Sequence, residues 1–199
     1  MKLPFSTYDV FTRERFCGNQ LAIVDGGAEL NAATMQNIAR EFNFSETVFV
    51  LPAQSPVATA RIRIFTPMRE LPFAGHPTIG AAVHLAEGRR RTPNGEDEQL
   101  ILVEQLIGPV RVGVRLRPGE PGFAEFGVPK LPEAAGIATA NELLAAALGL
   151  APSEIGFENH RPTRFSAGVA YTFVPVVDLE AIGRASLVSA HWQAAFGDG

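Results

Sequence analysis

The sequence predicts an α+β protein, with mixed or antiparallel sheets and one long helix in each of two lobes. Three observations lead there. Val110, Val112, Val114 and Leu116 alternate with Arg111, Arg115 and Arg117, the period of a half-buried antiparallel strand. Met35, Ile38, Ala39 and Phe42 recur at helical spacing, as do Ile79, Ala82, Val83 and Ala86. After Pro118-Gly119-Glu120-Pro121-Gly122, a connector by its prolines and glycines, a similar order of elements begins again, although the residues themselves do not repeat. The lobes are read as 1–117 and 123–199.

In the first lobe, Phe5 to Phe11 and Gln20 to Val24 are read as strands, the second stopped by Asp25-Gly26-Gly27. Leu30 and Asn31 open the first helix. Glu46 to Leu51 and Ala58 to Phe65 are strands; in the latter Ala60, Ile62 and Ile64 share one face and Arg61 and Arg63 the other. The second helix ends at Gly88. Strands at Leu100 to Leu106 and Val110 to Arg117 follow, with Gly108-Pro109 between them. In the second lobe, Phe123 to Val128 is a strand. Thr139 with Glu142 three positions on forms a capping box for a helix that carries Leu143, Leu144, Ala147 and Leu148 and stops at Gly149. Gly168 to Val177 is a strand and Ser186 to Phe196 a helix.

Composition narrows the function. A chain of 199 residues, 46% hydrophobic, can bury a core in one large domain or two small ones. A net charge of -4 is too small and too mixed to imply a nucleic-acid partner; Arg89-Arg90-Arg91 is answered by Glu96, Asp97 and Glu98 and reads as a solvated connector. Cys17 is the only cysteine, so no intrachain disulfide forms, which fits a reducing compartment. No apolar segment is long enough to span a bilayer, and MKLPFSTYDVF lacks the layout of a signal peptide. The expectation is a cytoplasmic protein without a membrane partner. No metal-ligand spacing, dinucleotide fingerprint, Walker loop or serine elbow is present, so neither a metal nor a cofactor is expected.

Three stretches could carry chemistry. Glu46 begins a strand and shares a face with Val48 and Val50. Loss of solvation there would raise its pKa toward the range in which a carboxyl moves protons to and from carbon. The alternative is a solvated glutamate paired with Arg61 or Arg63. Gly75-His76-Pro77-Thr78 reads as a helix start, with His76 as N-cap and Pro77 at the first helical position. The N–H groups of Thr78 and Ile79 would then face a carboxylate or oxyanion, Gly75 would allow close approach, and His76 could donate. The alternative is a tight turn without a ligand. In Phe16-Cys17-Gly18-Asn19-Gln20, Cys17 is either a thiol acid/base or a small residue in a turn, and Gly18-Asn19 could line a ligand. His84 and His191 read as packing or surface residues, and His160 as part of a polar loop.

Phe16-Cys17-Gly18-Asn19-Gln20-Leu21-Ala22, Asn43-Phe44-Ser45-Glu46-Thr47, Arg63-Ile64-Phe65-Thr66-Pro67 and Glu70-Leu71-Pro72-Phe73-Ala74-Gly75-His76-Pro77-Thr78-Ile79-Gly80 occur in that order. Together they resemble the PhzF-like (phenazine biosynthesis-like) family. The resemblance covers Phe5 to Gly88 and continues more loosely through Gly168 to Pro175. It implies the diaminopimelate-epimerase-like fold: two similar lobes, each a mostly antiparallel sheet around a central helix. It also implies a cofactor-independent isomerase acting on a small carboxylate-bearing substrate, and a possible homodimer. Glu46 matches the proton-moving glutamate. His76 and Gly75 match substrate contacts, with Asn19, Ser45, Pro77 and Thr78 beside them. Where the epimerase relatives carry a cysteine, this sequence has Ala74-Gly75-His76, and Cys17 does not replace it. The second lobe's acidic turn and Thr-Gly-Ser-like residues are not found, so the C-terminal lobe is expected to be truncated. Two readings follow: an isomerase of this type, or a non-catalytic small-molecule-binding or dimerisation remnant.

Overall fold

The computed structural model describes residues 2–167 and 169–197. The chain divides into two units, Met1–Pro129 and Lys130–Gly199. The first is organised around a buried helix. Its strands are β1 (Phe5–Val10), β2 (Asn19–Asp25), β3 (Glu46–Leu51), β4 (Ala60–Phe65), β5 (Glu70–Leu71), β6 (Asp97–Gln105), β7 (Gly108–Leu116) and β8 (Phe123–Phe126). Its helices are α1 (Ala32–Phe42) and α2 (Gly75–Glu87). One sheet runs β1-β2-β3-β4-β6-β7-β8, with β5 on β4. Neighbours are antiparallel except β2–β3 and β4–β6. Those two parallel pairs are the ones whose connections contain α1 and α2, as parallel pairing requires a crossover. The α+β class and the mostly antiparallel sheet around a helix are thus as the sequence indicates.

The apolar alternation decides which side each residue faces. Leu21 and Ile23 lie beside Glu46 and Val48 on one face of the sheet, with Ile62 and Ile64 opposite Val50 and Val48. This face packs on α2. Val24, Phe49, Leu51 and Phe65 point the other way and enclose Met35 and Ala39 of α1. Both faces of β2 and β3 are therefore buried, which is why their sequences are nearly continuous apolar runs. Asn31 caps α1, its Oδ1 accepting from Thr34 N–H at 2.9 Å. Small residues on α2 permit close packing: a Cβ on Gly80 would collide with Leu21 Cδ2 and lie 3.1 Å from Val10 Cγ2. Further along α2, His84 Nδ1 is 3.0 Å from Tyr8 Oη and its Nε2 3.1 Å from Asp25 Oδ2, so His84 ties β1 and β2 to the helix.

Several boundaries differ from the sequence reading. The break between units falls at Pro129, not in the Pro118–Gly122 connector, because Phe123–Phe126 pairs antiparallel with β7 and extends the first sheet. Gly108 and Pro109 begin β7 and do not form its preceding turn. In the second unit, β9 (Glu133–Ala134), β10 (Thr163–Ser166) and β11 (Ala170–Phe173) form an antiparallel sheet in the order β11-β10-β9. Its helices are α3 (Asn141–Leu148), α4 (Leu179–Arg184) and α5 (Ser189–Phe196). Leu144, Ala147 and Ala195 form its small core. Thr139 does not cap α3: its hydroxyl donates to the Ala195 carbonyl at 2.6 Å, and Ala140 is the N-cap. Of the strand read over 168–177, Gly168 lies outside the described residues and β11 ends before Pro175, which cannot donate to a ladder. The short α4, capped by Asp178, precedes α5. Among the described residues, no helix is long and apolar enough to cross a membrane.

Gly80→Ala should lower stability by about 1–3 kcal/mol, since the added methyl overpacks a buried helix–sheet contact. Urea unfolding of the purified chain measures this.

Candidate active site

Glu46 and His76 meet where three chain segments converge. Glu46 opens β3, and the parallel register sets it beside Leu21 on the α2 face of the sheet. Its side chain is 15% exposed and that of His76 8%. Glu46 Oε2 and His76 Nε2 are 3.1 Å apart, yet not aligned for a hydrogen bond, so each remains a buried polar atom without a hydrogen-bond partner. Asn19, the first residue of β2, places its Nδ2 3.2 Å from His76 Nδ1 and orients the ring. Gly18 makes that placement possible: a Cβ there would lie 2.7 Å from the Val10 carbonyl oxygen, closer than backbone can yield. Phe11, at the end of β1, presents its ring edgewise to the imidazole, centroids 6.5 Å apart.

The alternative partners of Glu46 lie on the other face of the sheet. Arg61 and Arg63 lie opposite Leu51 and Phe49, on the face turned away from Glu46. Arg63 makes two hydrogen bonds to Glu70, at 2.7 and 2.6 Å. Burial therefore acts on Glu46 without a compensating cation from that strand and raises its pKa above the ordinary carboxylate range. Burial also lowers the His76 pKa, opposed by a hydrogen bond to the Gln20 backbone carbonyl. Attraction between a charged Glu46 and a charged His76 would act in the other direction. Burial is the larger influence, because a buried ion pair needs additional hydrogen bonds that these two atoms lack.

The helix start differs from the expectation in one respect. Ala74, not His76, is the N-cap of α2, and Gly75 and His76 are its first two residues. Pro77 at the third position still forgoes nothing, since the first four N–H groups of a helix have no partner within it. Thr78 N–H makes the first intrahelical bond, to Ala74 O at 3.3 Å, so the free donors are the N–H groups of Gly75 and His76, not those of Thr78 and Ile79. The Thr78 side chain is fully buried; its hydroxyl donates to Ala74 O at 2.8 Å and accepts from Gln105 at 3.1 Å. Pro77 is buried as well. Both build the turn. A Cβ on Gly75, in contrast, would meet nothing within 4 Å. Ser45 precedes β3 and is exposed. Cys17 is exposed, with Glu14 Oε2 4.0 Å from its Sγ and, among the described residues, no cation paired with it. Gln20 and Phe11 were not singled out by sequence reasoning. A carbonyl leaves no mark in the residue type, and nothing local distinguishes Phe11 from a strand residue.

A sheet around a buried helix, with a carboxyl and an imidazole at the helix start, is the arrangement these residues build. The chain belongs to the phenazine biosynthesis-like protein family, whose description matches residues 8–195. It is 52% identical over 185 residues to an uncharacterised isomerase of Mesorhizobium japonicum, covering 93% of this chain and 60% of that protein. It is 37% identical over 153 residues to the trans-2,3-dihydro-3-hydroxyanthranilate isomerase of Pseudomonas aeruginosa, covering 77% of this chain and 51% of the isomerase. Among solved structures, a predicted epimerase from Pseudomonas aeruginosa aligns with a TM-score of 0.81 at 33% identity, over 97% of this chain and 66% of that one. A hydroxyproline epimerase from Agrobacterium vitis, 17% identical with a TM-score of 0.54, shares the fold. The chain thus spans about 60% of the length of the Mesorhizobium relative.

A raised carboxylate pKa means that the folded state holds the Glu46 proton above the pH at which the unfolded chain releases it. Stability from this group is present below the unfolded pKa and falls as pH rises toward the folded value. Glu46→Gln should accordingly be more stable than the parent at pH 7, and the difference should vanish near pH 4. Urea unfolding across pH 4–8 reads it.

Proposed function

We propose that this chain is a cofactor-independent isomerase that shifts a proton between carbon atoms of a small carboxylate-bearing metabolite. The close approach of two buried and otherwise unpartnered groups, Glu46 Oε2 and His76 Nε2, carries the reading. Glu46 as carboxylate takes a proton from carbon, and as carboxylic acid returns it to a second carbon of the same substrate. Its raised pKa brings its proton affinity nearer to that of a carbon acid, which favours transfer in both directions. The substrate carboxylate lies against the free N–H groups of Gly75 and His76, at the positive end of the α2 dipole. Charge developing on the substrate is stabilised by the same donors. His76 contacts the substrate from its Nε2 side, Asn19 keeps the ring in place, and Ser45 borders the entrance.

The compound named for the Pseudomonas aeruginosa relative, trans-2,3-dihydro-3-hydroxyanthranilate, is the first substrate to test. In deuterium oxide, NMR should show isomerisation with deuterium entering the carbon skeleton. Glu46→Gln should slow it by about 10²- to 10⁴-fold. Unchanged turnover in that variant would remove Glu46 from the chemistry. Binding without any exchange by the parent would favour a non-catalytic binding module.

Gly75→Ala separates fold from function. Its methyl meets no protein atom, so unfolding should be unaffected, while a methyl in the carboxylate's place should raise KM at least tenfold. Steady-state kinetics beside a urea titration tests both halves.

A further inference from the structure

The first unit contains a cavity of about 420 Å³ that the Glu46–His76 site does not use. That volume is within the range of small-molecule sites. Phe11, Ile79 and Phe123 form apolar walls, and Arg13, Arg115 and Arg117 supply the charge. Ile79 is three residues beyond His76, about 4.5 Å along the helix axis. Gly122 lets the 120–124 segment close against α2: a Cβ there would lie 2.6 Å from Val83 Cγ1.

The cations are arranged in advance. The Arg115 guanidinium lies over the Phe123 ring, 5.0 Å from its centroid. This cation–π contact restrains the guanidinium above the ring. Arg117 is held by Glu96, Nη2 to Oε1 at 3.1 Å, and the same carboxylate lies 3.9 Å from Arg115 Nε. Arg13 is exposed and has no acidic partner among the described residues. Three arginines against Glu96 and Glu120 leave one positive charge without an acidic counterpart. Phe11 is in the left-handed region, with φ 67°, and is 74% exposed.

We propose that this cavity binds an organic monoanion with a flat apolar body, an arylcarboxylate in chemical class. Its carboxylate pairs with Arg115 and Arg13 while its ring packs between Phe11 and Ile79. Phe11 also touches His76, but no acid/base group of the proton-transfer site lines the cavity. Binding here is therefore separable from turnover.

Benzoate is the probe, followed by ¹H–¹⁵N NMR and by calorimetry on the full chain. Amide shifts should concentrate at Phe11, Arg13, Gly122 and Phe123. Benzamide, of the same shape without the charge, should bind at least tenfold more weakly. Arg115→Met and Arg13→Met, both on exposed or half-exposed positions, should each weaken benzoate by about 10- to 100-fold. Four outcomes would overturn the proposal: no binding, equal binding of benzamide, undiminished binding by the Arg13→Met/Arg115→Met double variant, or shifts confined to Asn19, Glu46 and Gly75. The last would mark benzoate as a ligand of the proton-transfer site and leave the isomerase reading intact.

Discussion

Burial of α2 within the curved sheet is the constraint on which the rest of the first unit depends. The helix hides Gly80, Ala81, Ala82, Val83 and Ala86 along its length, and His76, Pro77 and Thr78 at its start. Small side chains let β1 and β2 approach its axis, and that approach carries the ends of both strands to the first turn. Asn19, Glu46 and His76 are neighbours because their backbones are packed onto one helix. No direct bond draws Glu46 and His76 together, and their polar atoms remain incompletely satisfied.

That arrangement works against stability. A carboxyl and an imidazole at 3.1 Å, both removed from water, are each driven toward neutrality. Acidic Glu46 beside neutral His76, and carboxylate beside imidazolium, contain the same number of protons and no net charge. Moving the proton between them keeps the net charge at zero but converts two neutral groups into two buried ions, which burial opposes. The surrounding sheet supplies the compensation. Phe49 and Phe65 stack edge to face at 5.5 Å, and Arg63 lies 5.1 Å from the Phe65 centroid while bound to Glu70. These contacts lie on the far side of the sheet from Glu46.

Much of this organisation was legible in the residues. Alternation in 110–116, the helical spacing of 35–42 and the helix opening at Leu30 and Asn31 are local patterns, and the elements form where they indicate. Glu46 and His76 could be singled out because a carboxylate on an apolar face and a histidine at a helix start are both unusual. The assignment of Phe123–Phe126 to the first sheet was not legible, since a strand's residues do not name its partner. The N-cap at Ala74 escaped for a different reason. Alanine makes no capping bond, and proline is tolerated at any of the first positions of a helix, so Pro77 did not fix the start. The Gln20 carbonyl and the orientation of Phe11 are tertiary facts without a signature in composition.

The two parallel strand pairs have a kinetic consequence. Joining β2 to β3 requires the α1 crossover to close, and joining β4 to β6 requires the α2 crossover. Each closure costs chain entropy before its contacts form, which makes such pairings slow. Glu46 reaches its place with the first closure, His76 only when α2 docks. A chain that has condensed its hairpins but not its crossovers would hold most of its secondary structure and no acid/base pair. The His76 imidazole would report that step, because its environment is complete only when α2 is docked.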